Sequence, residues 1–245
     1  MTYKLLGVGN NAKTIKGDGS EYLTAILYMT PFKVMVDGKL FNSCAMADVA
    51  KCFEPCLNTA GRGAFNNVQS ARQRKAEWFY RDRVSFMHQA VADTEKFERH
   101  CNKRDLQPVI RLNGTTDIRW ELIPVERDGV TYPNIFAAFP NVQWYDYTKI
   151  ANRKVSHIPN YHLTWSYSGA NAEYAAHLDK ALAQGMSVAV VFRTKYDAST
   201  WRGIKVTDGD KDDLRFLDPQ SSIVALYAKG KAKKDTSGFV QEVAQ

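Results

Sequence analysis

Residues 161–192 read YHLTWSYSGANAEYAAHLDKALAQGMSVAVVF. Tyr161–Tyr167 and Ser187–Phe192 are rich in β-branched and aromatic residues, as strands are. Asn171–Gln184 between them carries a helical pattern that Gly185 ends. A strand, a helix and a second strand in succession predict a parallel βαβ unit with a right-handed crossover.

The same alternation extends outward in both directions. Tyr22–Met29 (YLTAILYM) predicts a strand that stops before Pro31. Asn66–Arg104 lacks Gly and Pro and sets Val68, Ala71, Trp78, Phe79 and Phe86 at helical spacing, so it predicts one long helix or two in series. Val109–Leu112, Val142–Tyr147 and Ile223–Ala228 supply further strands. Roughly five or six such units predict a single domain over residues 1–245, an α/β fold built as a complete or partial (β/α) barrel, with a doubly wound open sheet as the alternative. Either architecture gathers its chemistry at the C-terminal strand ends. The polar residues that follow the strands are therefore the candidate cleft: Asn113 and Asp117, then Tyr145, Asp146 and Lys149, then Ser166, then Arg193.

The chain has 245 residues, 44% of them hydrophobic, and a formal net charge of +7. That composition excludes disorder, a collagen-like chain and a disulfide-dense miniprotein. The wholly apolar runs are short, so no membrane span is expected. MTYKLLGVGNN lacks the apolar stretch of a signal peptide, which predicts a cytoplasmic protein with reduced thiols.

Three of the four cysteines, Cys44, Cys52 and Cys56, fall within thirteen residues as C-x7-C-x3-C. On a helix Cys52 and Cys56 would share a face. Three converging thiolates make a soft site suited to an iron–sulfur cluster, with zinc as the alternative. No second C-x2-C pair and no nearby His completes a zinc knuckle. Three thiolates would leave one iron of a four-iron (4Fe-4S) cluster open to a small polar or phosphorylated ligand. Cys101, near the far end of the helical stretch, is expected to lie well away, and becomes a fourth-ligand candidate if a break in the helix returns it.

Other motifs carry less. Gly7-x4-Ala12-Lys13-Thr14 departs from a P-loop at its second Gly, and IKGDGSEY after it reads as non-helical. Asn10, Asn11 and Lys13 are instead expected to form a polar loop over a strand end. Asp208–Asp213 (DGDKDD) lacks the sixth-position Gly of a calcium loop and reads as a solvated acidic turn. There is no G-x-S-x-G, and His157 and His162 read as structural or surface residues. Residues 61–105 hold +4 of the surplus charge. Within them Arg62, Arg72, Arg74 and Lys75 run without an intervening acid, a candidate contact for nucleic acid or a host protein. Lys229, Lys231, Lys233 and Lys234 begin a basic tail, residues 229–245.

A cysteine triad after the first strand of a (β/α) barrel is similar to the layout of the radical SAM superfamily. That resemblance implies a 4Fe-4S cluster, S-adenosylmethionine as cofactor, and redox or radical chemistry. The spacing departs from the superfamily's C-x3-C-x2-C, and RLNGTTD (Arg111–Asp117) stands where its Gly-Gly-Glu element would fall. LLGVGNNAKTIKG (Leu5–Gly17), Cys44–Arg72, RLNGTTDIRWE (Arg111–Glu121), YDYTK (Tyr145–Lys149) and AKGKAKKDTSGFV (Ala228–Val240) together resemble a family of bacteriophage proteins of the gene product eighty-eight type. This second resemblance covers most of the chain. It implies phage origin and expression in the cytoplasm of an infected bacterium, and leaves the activity to be argued from the site.

Overall fold

A computed structural model describes residues 4–9, 12–17, 19 and 21–243 of the chain. Asn10 and Asn11 lie outside the described residues, as does the side chain of Lys13. The chain begins with β1 (Leu6–Val8), a short helix α1 (Ala12–Gly17) and β2 (Tyr22–Leu27). The helix at Ala12–Gly17 corrects the non-helical reading of that stretch. A hairpin, β3 (Lys33–Val36) and β4 (Lys39–Asn42), precedes the cysteine segment. Then come α2 (Asn66–Arg81), α3 (Arg83–Asn102) and β5 (Gln107–Arg111). A second hairpin, β6 (Val125–Arg127) and β7 (Val130–Tyr132), leads to α4 (Ile135–Ala138), β8 (Gln143–Thr148) and β9 (Tyr161–Ser166). The last elements are α5 (Ala172–Ala175), α6 (Leu178–Ala183), β10 (Ser187–Phe192), β11 (Thr200–Trp201), β12 (Ile204–Asp208) and β13 (Ile223–Tyr227).

Nine strands form one sheet in the order β1-β2-β5-β8-β9-β10-β13-β12-β11. The seven inner strands are parallel, and the edge strands β1 and β11 run antiparallel to their neighbours. Among the described residues no ladder joins the two edges, so the strands do not close into a complete barrel. The order advances without reversal from β2 to β10, whereas a doubly wound sheet turns back at a switch point.

Register explains where the core sits. Ala25, Ile110, Trp144 and Tyr161 are cross-strand partners and point to one face, together with Leu163, Trp165, Val188 and Ile223. Phe136 of α4 stacks on Tyr161 with centroids 3.9 Å apart, and Tyr174 of α5 stacks on Trp165 at 5.2 Å. Helices α4 and α5 thus pack on this apolar face, whereas the end of α1 lies against Leu214. The opposite face is polar: Thr24, Arg111, Tyr145, Tyr147, His162 and Thr164 lie there. An irregular strap, residues 209–218, covers it.

The expected helical stretch is two helices in series. Asp82 (φ −141°) ends α2, and its carboxylate accepts the Ser85 amide at 3.0 Å to start α3. The expected helix at Asn171–Gln184 also divides, into α5 and α6. No described helix is long and apolar enough to cross a membrane.

Candidate metal centre at the strand exits

The hairpin β3–β4 returns the chain to the C-terminal end of β2. Ser43 seals the return, its amide on the Phe32 carbonyl at 2.9 Å and its hydroxyl on the Thr30 carbonyl at 3.1 Å. Beyond it the segment carrying Cys44, Cys52 and Cys56 is a chain of turns, which corrects the expectation that Cys52 and Cys56 share a helix face. Lys51 stands at φ +50°, a conformation that stops helical continuation here. The Cys52 amide instead reaches back to the Ala47 carbonyl at 3.2 Å, and Cys56 caps a short 3-10 turn by accepting the Asn58 amide at 3.4 Å.

The thiols still gather. Cys44 Sγ lies 3.8 Å from the Thr115 carbonyl at the exit of β5. Ser168, beyond β9, ties down the middle of the segment through the Ala50 carbonyl at 2.7 Å. All three are free, half-buried thiols. Burial pushes each one's pKa up, Cys44 to about 12, and the neighbouring cysteines and Asp117 add to that for Cys44. Lys149 at the exit of β8 lies within electrostatic reach of Cys52 and Cys56. Its ammonium donates to the Ser166 and Tyr167 carbonyls at 3.0 and 3.2 Å and lies 4.4 Å from the Phe239 ring centroid. Burial lowers its pKa to about 8, while Cys52, Asp117 and Cys56 favour its charge.

Asp117 is buried and fully engaged. It accepts the Lys149 amide at 2.7 Å and faces the Arg153 guanidinium at 3.2 Å. Arg153, 1% exposed, also grips Glu121 in a bidentate pair at 2.9 and 2.6 Å. Burial raises the Asp117 pKa, and Arg153 opposes that rise.

The other candidates separate. Asn113 and Asp146 belong to the helix-covered side of the sheet, where Asp146 accepts the Asn113 amide at 2.7 Å and the Tyr161 hydroxyl at 3.1 Å. Tyr145 lies on the polar face and donates to Asp213 at 2.9 Å. Ser166 contributes its carbonyl to Lys149 rather than its hydroxyl. Arg193 holds the tail, donating to the carbonyls of Ala232, Lys233 and Asp235 and to Glu242. Arg72 is buried beneath the cysteine segment, with Nη1 2.6 Å from both the carbonyl and the side-chain oxygen of Asn58. Lys75 donates to the Leu5 carbonyl at 2.7 Å. Of the four basic candidates, Arg62 and Arg74 are the exposed ones. Cys101 is wholly buried near the end of α3, which feeds the start of β5 and so the opposite end of the sheet.

Sequence reasoning missed several supports of the site: Asn58, Gln69, Arg153 and Tyr174. Asn58 and Arg153 carried a usable signal, since polar residues close to a cysteine segment or a strand exit invite inspection. The DGDKDD stretch is solvated only in part, with Asp208 and Lys211 exposed and its last residue buried. Asp213 is 3% exposed and faces Arg111 at 3.3 Å, because the segment folds inward over a sheet face that has donors to meet it.

The residues present suit a sulfur-ligated cluster. Three free thiols lie within electrostatic reach of one another, and burial holds each in its protonated form until a bound metal supplies positive charge. Among the described residues no three His, Cys, Asp or Glu side chains converge tightly enough to hold one ion. A cluster asks less of that convergence, because its ligands sit on separate corners.

Fold and site together define an α/β protein with a mostly parallel sheet and a cysteine-bearing segment at its strand exits. The Gene product 88 family model matches residues 4–243, and the chain belongs to that family of phage proteins. No curated protein and no solved structure matches it.

Proposed function

We propose that the chain is an iron–sulfur protein in which Cys44, Cys52 and Cys56 hold a 4Fe-4S cluster with one iron left open. The observation that supports this most is that three half-buried thiols lie within electrostatic reach of one another, two of them also of Lys149, at the C-terminal ends of parallel strands. In this reading the parallel strands curve as a partial (β/α) barrel and the cluster caps its open end. The cluster supplies electrons or a coordination site. The protein's own residues supply the rest. Lys149 offers an ammonium to an anionic group on a small polar or phosphorylated ligand, and its carbonyl contacts with Ser166 and Tyr167 fix its position. Asp117, held by Arg153, balances that charge. Whether S-adenosylmethionine is the ligand of the open iron is part of the same proposal, as is residence in the cytoplasm of an infected host cell.

The alternative, a metal-stabilised module that grips nucleic acid or a host protein, would use Arg62, Arg72, Arg74 and Lys75 as a surface. The inward turn of Arg72 and Lys75 weighs against it.

Anaerobic purification tests the proposal. The protein should be brown, absorb broadly near roughly 400 nm and carry about four irons with matching sulfide. Cys56→Ala should lose the iron and the colour while circular dichroism stays native. An iron-free, colourless preparation after anaerobic reconstitution with iron and sulfide would overturn it.

A further inference from the structure

The polar face of the sheet carries a second group of side chains that the cysteine pocket does not use. The Tyr145 hydroxyl donates to Asp213 Oδ2 at 2.9 Å and the Tyr147 hydroxyl to Oδ1 at 3.1 Å. Arg111 Nη1 donates to Oδ2 at 3.3 Å, and its guanidinium lies 4.7 Å from the Tyr147 ring centroid. A guanidinium and two phenols aimed at both oxygens of one carboxylate form a recognition geometry for that group.

Asp213 itself belongs to the strap, not to the sheet. The backbone hydrogen bonds of residues 211–217 close within the strap. Side chains hold it down: the Asp213 carboxylate, and the Phe216 ring against Tyr22 and Tyr145 at 5.4 and 6.1 Å. Arg215 finds its acidic partners, Asp212 and Asp218, inside the strap at 3.2 and 3.1 Å. Asp210, paired with Lys229 at 2.8 Å, anchors the start of the strap; residues 211–218 can lift beyond it, at the cost of the ion pair between Asp213 and Arg111. On the same polar face, Arg111 Nε, Thr24 Oγ1, His162 Nε2 and Thr164 Oγ1 are buried with no hydrogen-bond partner. Buried polar groups are almost always satisfied in native proteins. Four on the sheet face that the strap covers, none of them met by Asp213, describe a cradle only partly filled.

We propose that Arg111, Tyr145 and Tyr147 bind the carboxylate of a small polar ligand, and that Asp213 occupies this cradle in its place. The unmet groups select a ligand with a hydroxyl or amino group beside its carboxylate. The strap is displaced when that ligand enters. The proposal is independent of the cluster, since no cysteine takes part.

The test uses the full-length Asp213→Ala and Asp213→Asn variants, with acetate, lactate, inorganic phosphate and chloride as probes at equal ionic strength. Lactate should raise the melting temperature of Asp213→Ala saturably, by about 2–4 °C at roughly five times its dissociation constant. Acetate should do less and chloride nothing. Adding Arg111→Gln should abolish the effect. In the wild-type protein, lactate should speed amide hydrogen exchange across residues 209–218. A strap whose exchange ignores lactate overturns the proposal even if Asp213→Ala fails to fold, as does a folded Asp213 variant that responds alike to lactate and chloride. A phosphate effect equal to that of lactate overturns the carboxylate assignment.

Discussion

Asp146 and His162 sit on neighbouring strands and face opposite sides of the sheet, and burial drives their protons in opposite senses. Burial raises the Asp146 pKa to about 7, with Arg111 opposing. Burial lowers that of His162 to about 4, helped by Arg215. Between about pH 4 and pH 7 the folded Asp146 holds a proton that the unfolded chain releases, so this residue makes the fold less stable as pH rises. Folded His162 refuses a proton that the unfolded chain takes below about pH 6.5, so this residue makes the fold less stable as pH falls. The two slopes oppose one another over much of that window. Urea midpoints measured across it should therefore change little in the wild type. Asp146→Asn should expose a loss of stability on acidification, and His162→Gln a gain, each amounting to a few kcal/mol at about 1.4 kcal/mol per pKa unit. Parallel profiles for all three proteins would refute the assignment. At this scale the sequence was informative about chemistry but not about direction. The cysteine triad, Asp117 and Lys149 were legible from clustering and strand exits. That Arg72 turns inward, or that Asp213 is buried, depends on partners 14 and 102 residues away.

Elements were legible where their signal was local. Six of the seven inner strands matched runs of β-branched and aromatic residues, β12 being the exception, and the helical stretch showed its period. The three hairpins were missed although each carried a signal. Asp37-Gly38, Asp128-Gly129 and Arg202-Gly203 all have positive φ at both residues, as two-residue hairpin turns need. The strands beside them are short and mostly polar, which hid them. The junction between α2 and α3 offers a direct check. Asp82→Ala removes the cap on Ser85 and should cost about 1 kcal/mol, read from the urea midpoint. Where β5 leaves the sheet, Gly114 leaves no room for a side chain. A Cβ there would meet the Leu27 carbonyl oxygen at 2.6 Å and the Tyr28 ring at 2.7 Å. Gly114→Ala should destabilise by about 1–3 kcal/mol in the same assay, because the closest neighbour is backbone.

At the scale of the whole molecule, the C-terminal tail is part of the fold. Gln241 bridges Phe192 at the end of β10, Phe239 and Val240 are buried, and Arg193 binds three tail carbonyls. Arg193→Ala should free this segment without unfolding the sheet. Tryptic cleavage within Lys229–Lys234 should quicken roughly tenfold, at little change in the global urea midpoint. Unchanged cleavage would mean that the apolar contacts alone hold the tail. By itself, the sequence determined the family, the parallel α/β class, the helical stretch and the concentration of thiols and polar residues after strands. Each of these is written in spacing, periodicity or composition over a few tens of residues. Only the tertiary structure decided that the sheet has two open edges, that its faces divide into an apolar helix-bearing side and a polar strap-covered side, and that the tail packs. Those outcomes rest on strand order and register, which are set by contacts between residues far apart in the chain, and no local pattern encodes which distant donor meets which carboxylate.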